Sequence, residues 1–389
     1  MSHTAWLNVA RTPALSGRRL LEMLPAFGSV EALCAAPGAE LQRAGLSSVQ
    51  ADALRVPDPR SLATDIEWLE GSRCTLLGVT DPDYPALLRQ LPDPPAVLWV
   101  RGDPAALWQP QVAMVGSRNP TAAGRDHARD FAGALARAGW TITSGMAAGV
   151  DVTAHLGALD AGGQTVAVLG TGIDIAYPAR NAAAASAIAA QGALVSEFPP
   201  GTPPRKGNFP ARNRLISGLS LGVLVVEAAL NSGSLITARL AAEQGREVFA
   251  LPGSLHNPMV RGCHRLIKQG ARLAESIEDI VQSLAPMAGE LARALERRLA
   301  TLEPPNAAEG SPLGLLPEDM ELLEDEEYAR LYGAIERDPV SHDQLHERTG
   351  LGIRELSSML LMLELRGLVQ TVEGGRVTRS SQRDGQVRS

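Results

Sequence analysis

Short apolar runs alternate with stretches of helical periodicity over residues 111–285. The runs lie at 112–116, 140–144, 165–169, 193–198, 221–226 and 247–251. Buried strands that alternate with helices are typical of a doubly wound parallel sheet. The pattern therefore predicts an α/β domain that binds its ligand outside the carboxyl ends of the strands.

The segments before this domain follow different patterns. Residues 1–60 indicate short helices joined by glycine turns, as in helix-hairpin-helix or sterile-alpha-motif-like modules. Such turns can contact DNA phosphate, but paired glycines are missing here, so a packing or protein-contact role is favoured. Residues 61–110 are rich in proline and contain two short apolar runs, at 75–79 and 97–101. They predict a transition segment that packs with the central domain.

The segments after the central domain predict a second folded module. Residues 286–325 combine a charged helix, a Pro/Gly stretch and an acidic run, which indicates a linker. Residues 326–380 predict three helices and a β-hairpin, the arrangement of a winged helix. The third helix carries few basic residues, which favours a protein contact or weak DNA binding. The polar residues 381–389 predict a disordered tail.

Composition narrows the class of protein. A chain of 389 residues is long enough for two to four domains. Its three cysteines are far apart, which argues against a disulfide framework or a zinc site and predicts a cytoplasmic protein. No apolar run is long enough to cross a bilayer, so no membrane partner is expected. The formal net charge is −7, yet residues 111–285 carry 15 basic and 12 acidic residues. An anionic ligand is therefore expected at the central domain.

One segment of that domain is strongly basic. No Asp or Glu occurs between Glu197 and Glu227, and the ten residues 205–214 contain Arg205, Lys206, Arg212 and Arg214. Phe209 lies among these cations. Cations beside a flat apolar ring suit a single strand of nucleic acid, because charge binds phosphate and the ring stacks on a base. The prolines before it predict an extended loop over the sheet edge.

Other candidate contacts follow the ends of the predicted strands. Ser117 and Arg118 offer a hydroxyl and a guanidinium just before a helix, whose positive end would assist phosphate binding. Gly233 and Ser234 open another helix and could form a nest of N–H groups, although simple N-capping explains them as well.

Several kinds of chemistry are disfavoured. The turn after Gly116 does not give GxGxxG, and no GxxxxGK[ST] occurs in the chain. Asp151 and His155 are four residues apart and could form a general-base pair, but a structural Asp–His hydrogen bond is favoured. The histidine spacing does not support a metal site, and neither a cofactor nor a catalytic residue is expected.

Six motifs in one order strongly resemble the DNA-processing protein A family, also called DprA or Smf. They are VGSRNPTAAG, TITSGMAAGVDVTAH, VAVLGTGIDIAYPARN, LVSEFPPGTPPRKGNFPARNRLISGLS, VLVVEAALNSGSLITARLAAEQGREVFALPG and RGCHRLIKQGA. The resemblance implies an extended Rossmann-like fold that binds single-stranded DNA without sequence preference and forms a homodimer. It also implies protection of incoming DNA and loading of the RecA recombinase during natural transformation, with no catalytic reaction.

The resemblance also assigns residues to the DNA contact. Five side chains become candidates: Arg118, Lys206, Phe209, Arg212 and Arg214. Backbone contacts to phosphate are implied at Ser117, Gly145, Gly233 and Ser234. Two alternatives stay open from the residues themselves, a nucleoside-phosphate hydrolase with a related fold and a transcriptional regulator that uses the winged helix.

Overall fold

The computed structural model describes residues 3–301, 325–335, 340–365, 368–372 and 376–379. The chain divides into two compact units, residues 1–299 and 300–389. Most of the predicted linker, the turn of the predicted hairpin and the predicted disordered tail lie outside the described residues.

Six helices open the first unit. They are α1 (His3–Arg11), α2 (Gly17–Phe27), α3 (Val30–Ala35), α4 (Gly38–Arg43), α5 (Ser48–Arg55) and α6 (Pro59–Leu69). Side chains fix several starts, since Ser16, Ser47 and Asp58 each accept a hydrogen bond from a backbone N–H in the first turn. Their buried leucines belong to the same apolar core as the sheet that follows.

Nine strands form one sheet. They are β1 (Cys74–Gly78), β2 (Val97–Gly102), β3 (Gln111–Val115), β4 (Thr141–Ser144), β5 (Thr165–Val168), β6 (Ala193–Ser196), β7 (Gly222–Val225), β8 (Glu247–Ala250) and β9 (Arg272–Leu273). Their order is β1-β2-β6-β5-β4-β3-β7-β8-β9. The pairs β1–β2 and β2–β6 are antiparallel, and the other pairs are parallel. The apolar runs at 75–79 and 97–101 therefore extend the sheet of the central domain.

Helices connect the strands and cover the sheet. They are α7 (Ala86–Arg89), α8 (Ala122–Arg137), α9 (Val150–Asp160), α10 (Ala182–Gln191), α11 (Asn208–Leu219), α12 (Ser234–Glu243), α13 (Arg261–Lys268) and α14 (Ile277–Thr301). All residues of β3 to β7 are buried, as expected of parallel strands covered on both faces. This confirms the predicted doubly wound α/β fold.

The strand order reverses between β3 and β7. Chain connections run from β3 towards β6 on one side and from β7 towards β9 on the other. The loops after β3 and β7 therefore diverge and leave a crevice at the carboxyl edge, which is where doubly wound sheets bind ligands.

The second unit contains α15 (Glu326–Ala334), α16 (His342–Thr349), α17 (Ile353–Leu365) and the antiparallel pair β10 (Val369–Val372) and β11 (Arg376–Arg379). Ser341 caps α16 with a capping box to Gln344, and Gly350 ends that helix at φ 74°. Leucines from all three helices pack with Val377 in a separate core. The predicted winged helix is confirmed.

Candidate nucleic-acid interface

The crevice at the reversal point holds most of the predicted contact residues. It is a groove of about 810 Å³ between the loops after β3 and β7 and the first turns of α11 and α12. Seven of the nine predicted residues line it: Ser117, Arg118, Lys206, Phe209, Arg212, Gly233 and Ser234. Gly145 and Arg214 do not line it.

Two cations in the groove are available to a ligand. Arg118 lies in the turn after β3, and Lys206 lies in the turn before α11. Both side chains are exposed. Within the described parts of the chain, neither side chain makes a hydrogen bond or an ion pair that would neutralise it. An anionic ligand could therefore bind both without breaking an internal contact.

An aromatic pair lies beside these cations. Phe209, in the first turn of α11, lies with its ring centroid 5.5 Å from that of Tyr177, and the planes are tilted by 38°. Tyr177 is 46% exposed and lines the same groove. A Cβ at Gly170 would lie 2.8 Å from the Phe209 ring, so glycine makes room for it. Tyr177 was not among the predicted contacts, although its position in the loop after β5 was a usable signal.

The basic segment is helical over much of its length, which corrects the predicted extended loop. Helix α11 begins at Asn208, so Phe209, Arg212 and Arg214 lie on the helix. Only the part of the segment that ends at Gly207, which includes Lys206, lies outside the helix. Arg212 and Arg214 therefore have directions set by the helix, whereas Lys206 does not.

Arg212 points into the protein rather than into solvent. It is 4% exposed, and its guanidinium donates to the carbonyl oxygens of Gly145, at 2.7 Å, and Val168. Burial lowers the pKa of Arg212 to about 10, with Asp151 opposing that change. Arg212 therefore joins the ends of β4 and β5, and its burial counts against the predicted DNA contact.

Gly145 serves this same arrangement. A Cβ at Gly145 would lie 2.7 Å from a guanidinium nitrogen of Arg212, so a larger residue would displace the arginine. The Gly145 N–H donates to a carboxylate oxygen of Asp151 at 3.2 Å. That donor is consequently engaged inside the protein, which counts against the predicted phosphate contact.

Arg214 is also engaged in internal contacts. Its guanidinium forms an ion pair with the half-buried Glu197 and donates to the carbonyl oxygen of Asp93 at 2.8 Å. Burial raises the pKa of Glu197, and the adjacent Arg214 opposes this rise. Arg214 therefore anchors α11 to the segment after β6, outside the groove.

The start of α12 is open to the groove. Gly233 is the N-cap residue and provides no side-chain hydrogen bond, and a Cβ there would meet nothing within 4 Å. The Ser232 and Ser234 hydroxyls lie 2.7 Å apart, and the Ser232 hydroxyl accepts from the Ser234 N–H at 3.3 Å. Helix α11 likewise starts at Gly207 without a side-chain cap. Both starts present positive dipole ends to a ligand.

The start of α8 is closed by a buried carboxylate. Glu227, 4% exposed and just beyond β7, accepts from the Thr121 N–H at 2.9 Å and from the Thr121 hydroxyl at 2.5 Å. Thr121 is the N-cap of α8. The positive helix end that was predicted to bind phosphate is thus occupied by Glu227. This disfavours a nucleotide hydrolase, because such folds place phosphate at this turn.

A carboxylate also lies at the start of α9, where it binds the loop that precedes the helix. The Asp151 carboxylate, in its first turn, accepts from the N–H groups of Gly145 and Ala147 at 3.2 and 3.4 Å. Burial raises the pKa of Asp151, and the neighbouring Arg212 opposes this rise. Ser117 is also mostly buried, and its hydroxyl accepts from the Asn119 N–H at 3.1 Å within the turn.

The predicted Asp151–His155 hydrogen bond is wrong. The Nδ1 atom of His155 lies 2.7 Å from the Thr165 hydroxyl, and Asp151 has the separate partners given above. Burial lowers the pKa of His155 to about 3, so the ring is neutral near pH 7. In the described residues, no group of three or more His, Cys, Asp or Glu side chains is placed to hold a metal ion. No helix among them is long and apolar enough to span a membrane.

Comparisons with known proteins give a consistent result. The family model for DNA recombination-mediator protein A matches residues 75–285, and a DprA winged-helix model matches residues 304–375. Protein Smf of Escherichia coli is 43% identical over 338 residues, which cover 87% of this chain and 86% of that protein. DNA processing protein DprA of Bacillus subtilis is 45% identical over 207 residues, or 53% of this chain and 70% of that protein.

Two solved structures are similar. DNA processing protein A from Streptococcus pneumoniae matches with a TM-score of 0.63 and 34% identity, over 72% of this chain and 96% of that one. The Helicobacter pylori protein matches with a TM-score of 0.50 and 34% identity, over 55% of this chain and 96% of that one. The latter structure gives insights into the single-stranded DNA binding mode of the Helicobacter pylori protein.

Proposed function

The chain belongs to the DNA recombination-mediator protein A family, and from this premise we propose that it binds single-stranded DNA without sequence preference. The supporting observation is the composition of one groove. It combines two exposed cations, Arg118 and Lys206, with the aromatic pair Tyr177–Phe209 and two helix starts without side-chain caps.

Each part of the groove has a role in this proposal. Phosphates bind Arg118 and Lys206, whose exposed side chains make no described internal contact, and the positive dipole ends of α11 and α12 add to the attraction. A base stacks on Phe209, and Tyr177 extends the flat surface to a second base. None of these groups reads a base edge in a fixed pattern, so binding tolerates any sequence. Arg212 and Arg214 support the groove from within.

Membership of the family supports a biological role. We propose that the protein protects incoming single strands and helps load RecA during natural transformation, and that it catalyses no reaction. A homodimer through the central domain is part of the proposal. The exposed apolar side chains Leu230 and Ile236 in a groove of about 940 Å³ beside α12 support it. The cytoplasmic location predicted from cysteine usage stays a prediction.

The winged helix contributes little DNA affinity in this proposal. The exposed side chains that the structure describes on α17 are Glu355, Ser358, Met362 and Glu364. Two carboxylates on the helix that would enter a major groove oppose binding to duplex DNA. This disfavours the alternative of a transcriptional regulator.

Fluorescence anisotropy with labelled oligo-dT and with a duplex of equal length, each at two salt concentrations, tests the proposal. Tighter binding of oligo-dT is expected, with log affinity falling about 0.7 per phosphate neutralised for each log unit of salt. Equal affinity for the duplex would refute it. Release of free base from a nucleoside monophosphate would instead support the hydrolase.

A further inference from the structure

The segment that leads to Lys206 is attached to the rest of the molecule at several points. Its residues 199–202 form a tight turn in which the Thr202 hydroxyl donates to the Pro199 carbonyl oxygen at 2.7 Å. The Gly172 N–H donates to the Thr202 carbonyl oxygen at 2.8 Å, and the Gly201 N–H donates to Asp174 at 2.9 Å. The loop after β5 thus holds one side of this turn.

The N-terminal helices hold its other side. Arg11, at the end of α1, donates to the carbonyl oxygen of the buried Pro200 at 3.2 Å. The same guanidinium binds both carboxylate oxygens of Asp65 on α6, at 2.8 and 2.5 Å. The Asp65 side chain is fully buried and that of Arg11 is 21% exposed. A two-point pair of this kind fixes the direction of the guanidinium and leaves it little freedom.

The carbonyl group that Arg11 contacts, that of Pro200, lies only six residues before the groove cation Lys206. Beyond Pro200 and Thr202, Pro203 and Pro204 stiffen the chain up to Arg205 and Lys206, which are exposed and make no described side-chain hydrogen bond. The placement of the Lys206 ammonium therefore depends on where the turn 199–202 is held. Arg11 is 189 residues from Pro200 in sequence, so this link joins distant parts of the chain.

We propose that Arg11, held by Asp65, is a positioning residue for the nucleic-acid groove. It fixes the turn 199–202 from the N-terminal helices and thereby sets the place of Lys206. The helices of residues 3–69 would then contribute to DNA affinity without touching DNA. This inference rests on the proposed function for its binding readout, but its structural part can be measured without DNA.

The first test measures amide hydrogen exchange of residues 199–207 in the full chain without DNA. Arg11→Ala is expected to speed exchange in this segment, while α12 exchanges as in the wild type. Arg18→Ala is the matched control, because Arg18 pairs with Glu22 on the exposed face of α2. Unchanged exchange of 199–207 in Arg11→Ala would overturn the inference, whatever the protein binds.

The second test measures oligo-dT affinity by fluorescence anisotropy. Arg11→Ala is expected to weaken binding about three- to tenfold, and Arg11→Lys is expected to rescue only part of the loss, because an ammonium lacks the planar fork. In the Lys206→Ala background, Arg11→Ala should have little further effect, since Arg11 acts through Lys206. Additive losses would contradict a positioning role.

The variant Asp174→Ala loosens the turn 199–202 from its other side. Unlike Arg11→Ala, it keeps the ion pair of the buried Asp65 intact, and it changes the charge in the direction that favours DNA binding. Asp174 is exposed and holds the Gly201 N–H. Removing a negative charge by itself should strengthen DNA binding, whereas loosening the turn should weaken it. Weaker binding is the expected result, and stronger binding would overturn the inference. If the wild type does not bind oligo-dT, the proposed function fails while the exchange test still decides the positioning role.

Discussion

Four of the helices that begin at the carboxyl edge of the sheet form two contrasting pairs. Helices α8 and α9 have their starts closed by internal carboxylates, Glu227 and Asp151. Helices α11 and α12 start at Gly207 and Gly233 without a side-chain cap. The exposed cations Arg118 and Lys206 line the groove into which the open pair faces. Of these four helix starts, two therefore have an internal carboxylate beside them, and two face a groove with exposed cations.

The difference between the two pairs shows how one sheet edge can bind phosphate at some helix starts and not at others. A helix start carries partial positive charge, and a carboxylate held beside it neutralises that charge. A phosphate at the start of α8 would have to displace a buried carboxylate that holds two hydrogen bonds. Phosphates should therefore follow the open pair, which is flanked by side chains suited to a polymer rather than to a mononucleotide.

The largest expected effect comes from removing the two exposed cations that line the groove, Arg118 and Lys206. Each charge-assisted contact is worth about 1.5–3 kcal/mol, so Arg118→Ala/Lys206→Ala should weaken oligo-dT binding roughly 10²- to 10⁴-fold. The salt slope should become shallower by about 1.4, for two phosphates at 0.7 each. Arg18→Ala/Arg60→Ala removes two cations outside the groove and should change affinity far less. Equal losses in the two double variants would contradict selective binding at the open pair.

Phe209→Ala should weaken oligo-dT binding by about 1–3 kcal/mol with an unchanged salt slope, because stacking neutralises no phosphate. Tyr177→Ala should act in the same direction. Phe131, half-buried on α8, gives a control, and Phe131→Ala should lower thermal stability without weakening binding. If Phe209→Ala loses stability but binds DNA normally, Phe209 is a packing residue only.

Lower pH should reduce the free energy of unfolding through His155, which is buried on α9. Its pKa is about 3 in the folded protein, below the ordinary value of 6.5, so between these values only the unfolded chain takes up the proton. Stability is therefore lost as pH falls below 6.5, by about 2 kcal/mol at pH 5. Asp151 and Glu197, with raised pKa values, act in the opposite direction.

Urea unfolding of the wild type and of His155→Asn, each at pH 7.5 and pH 5, separates the contribution of His155 to the pH dependence of stability from that of Asp151 and Glu197. The wild type should lose more stability than the variant on acidification. Equal losses would show that His155 does not remain neutral inside the fold.

The smallest effect is expected from Glu227→Gln. The amide keeps the shape of the side chain but weakens two charge-assisted hydrogen bonds, so unfolding free energy should fall by about 1 kcal/mol. Oligo-dT affinity should change less than twofold, because the α8 start stays filled. A clear gain in affinity would mean that phosphate competes with Glu227 for this start, which would contradict the division into closed and open pairs.

Much of the fold was predictable because its signals are local. The apolar runs from residue 111 onward predicted the parallel strands, and their alternation with helices predicted the ligand edge. Hydrogen bonds between residues 106 positions apart, as between Thr121 and Glu227, leave no local pattern. The closed helix starts therefore could not be predicted from a single sequence.

The basic segment shows why charge alone did not identify the contacts. Arg212 is buried on α11 together with Leu215, Ile216 and Leu219, at the spacing of one helical face. That spacing is present in the sequence and predicts that Arg212 lies on the buried face of the helix. The partners Glu197 and Asp93 of Arg214 come from other loops, so its engagement depended on the tertiary fold.

A crystal structure of the chain with a bound dT oligonucleotide tests the central claim most directly. Consecutive phosphates are expected within hydrogen-bond distance of Arg118 and Lys206 and beside the start of α12, with a thymine stacked on Phe209 and the Glu227–Thr121 contacts intact. A phosphate seated at Thr121 with Glu227 displaced, or a strand bound away from this groove, would contradict the account.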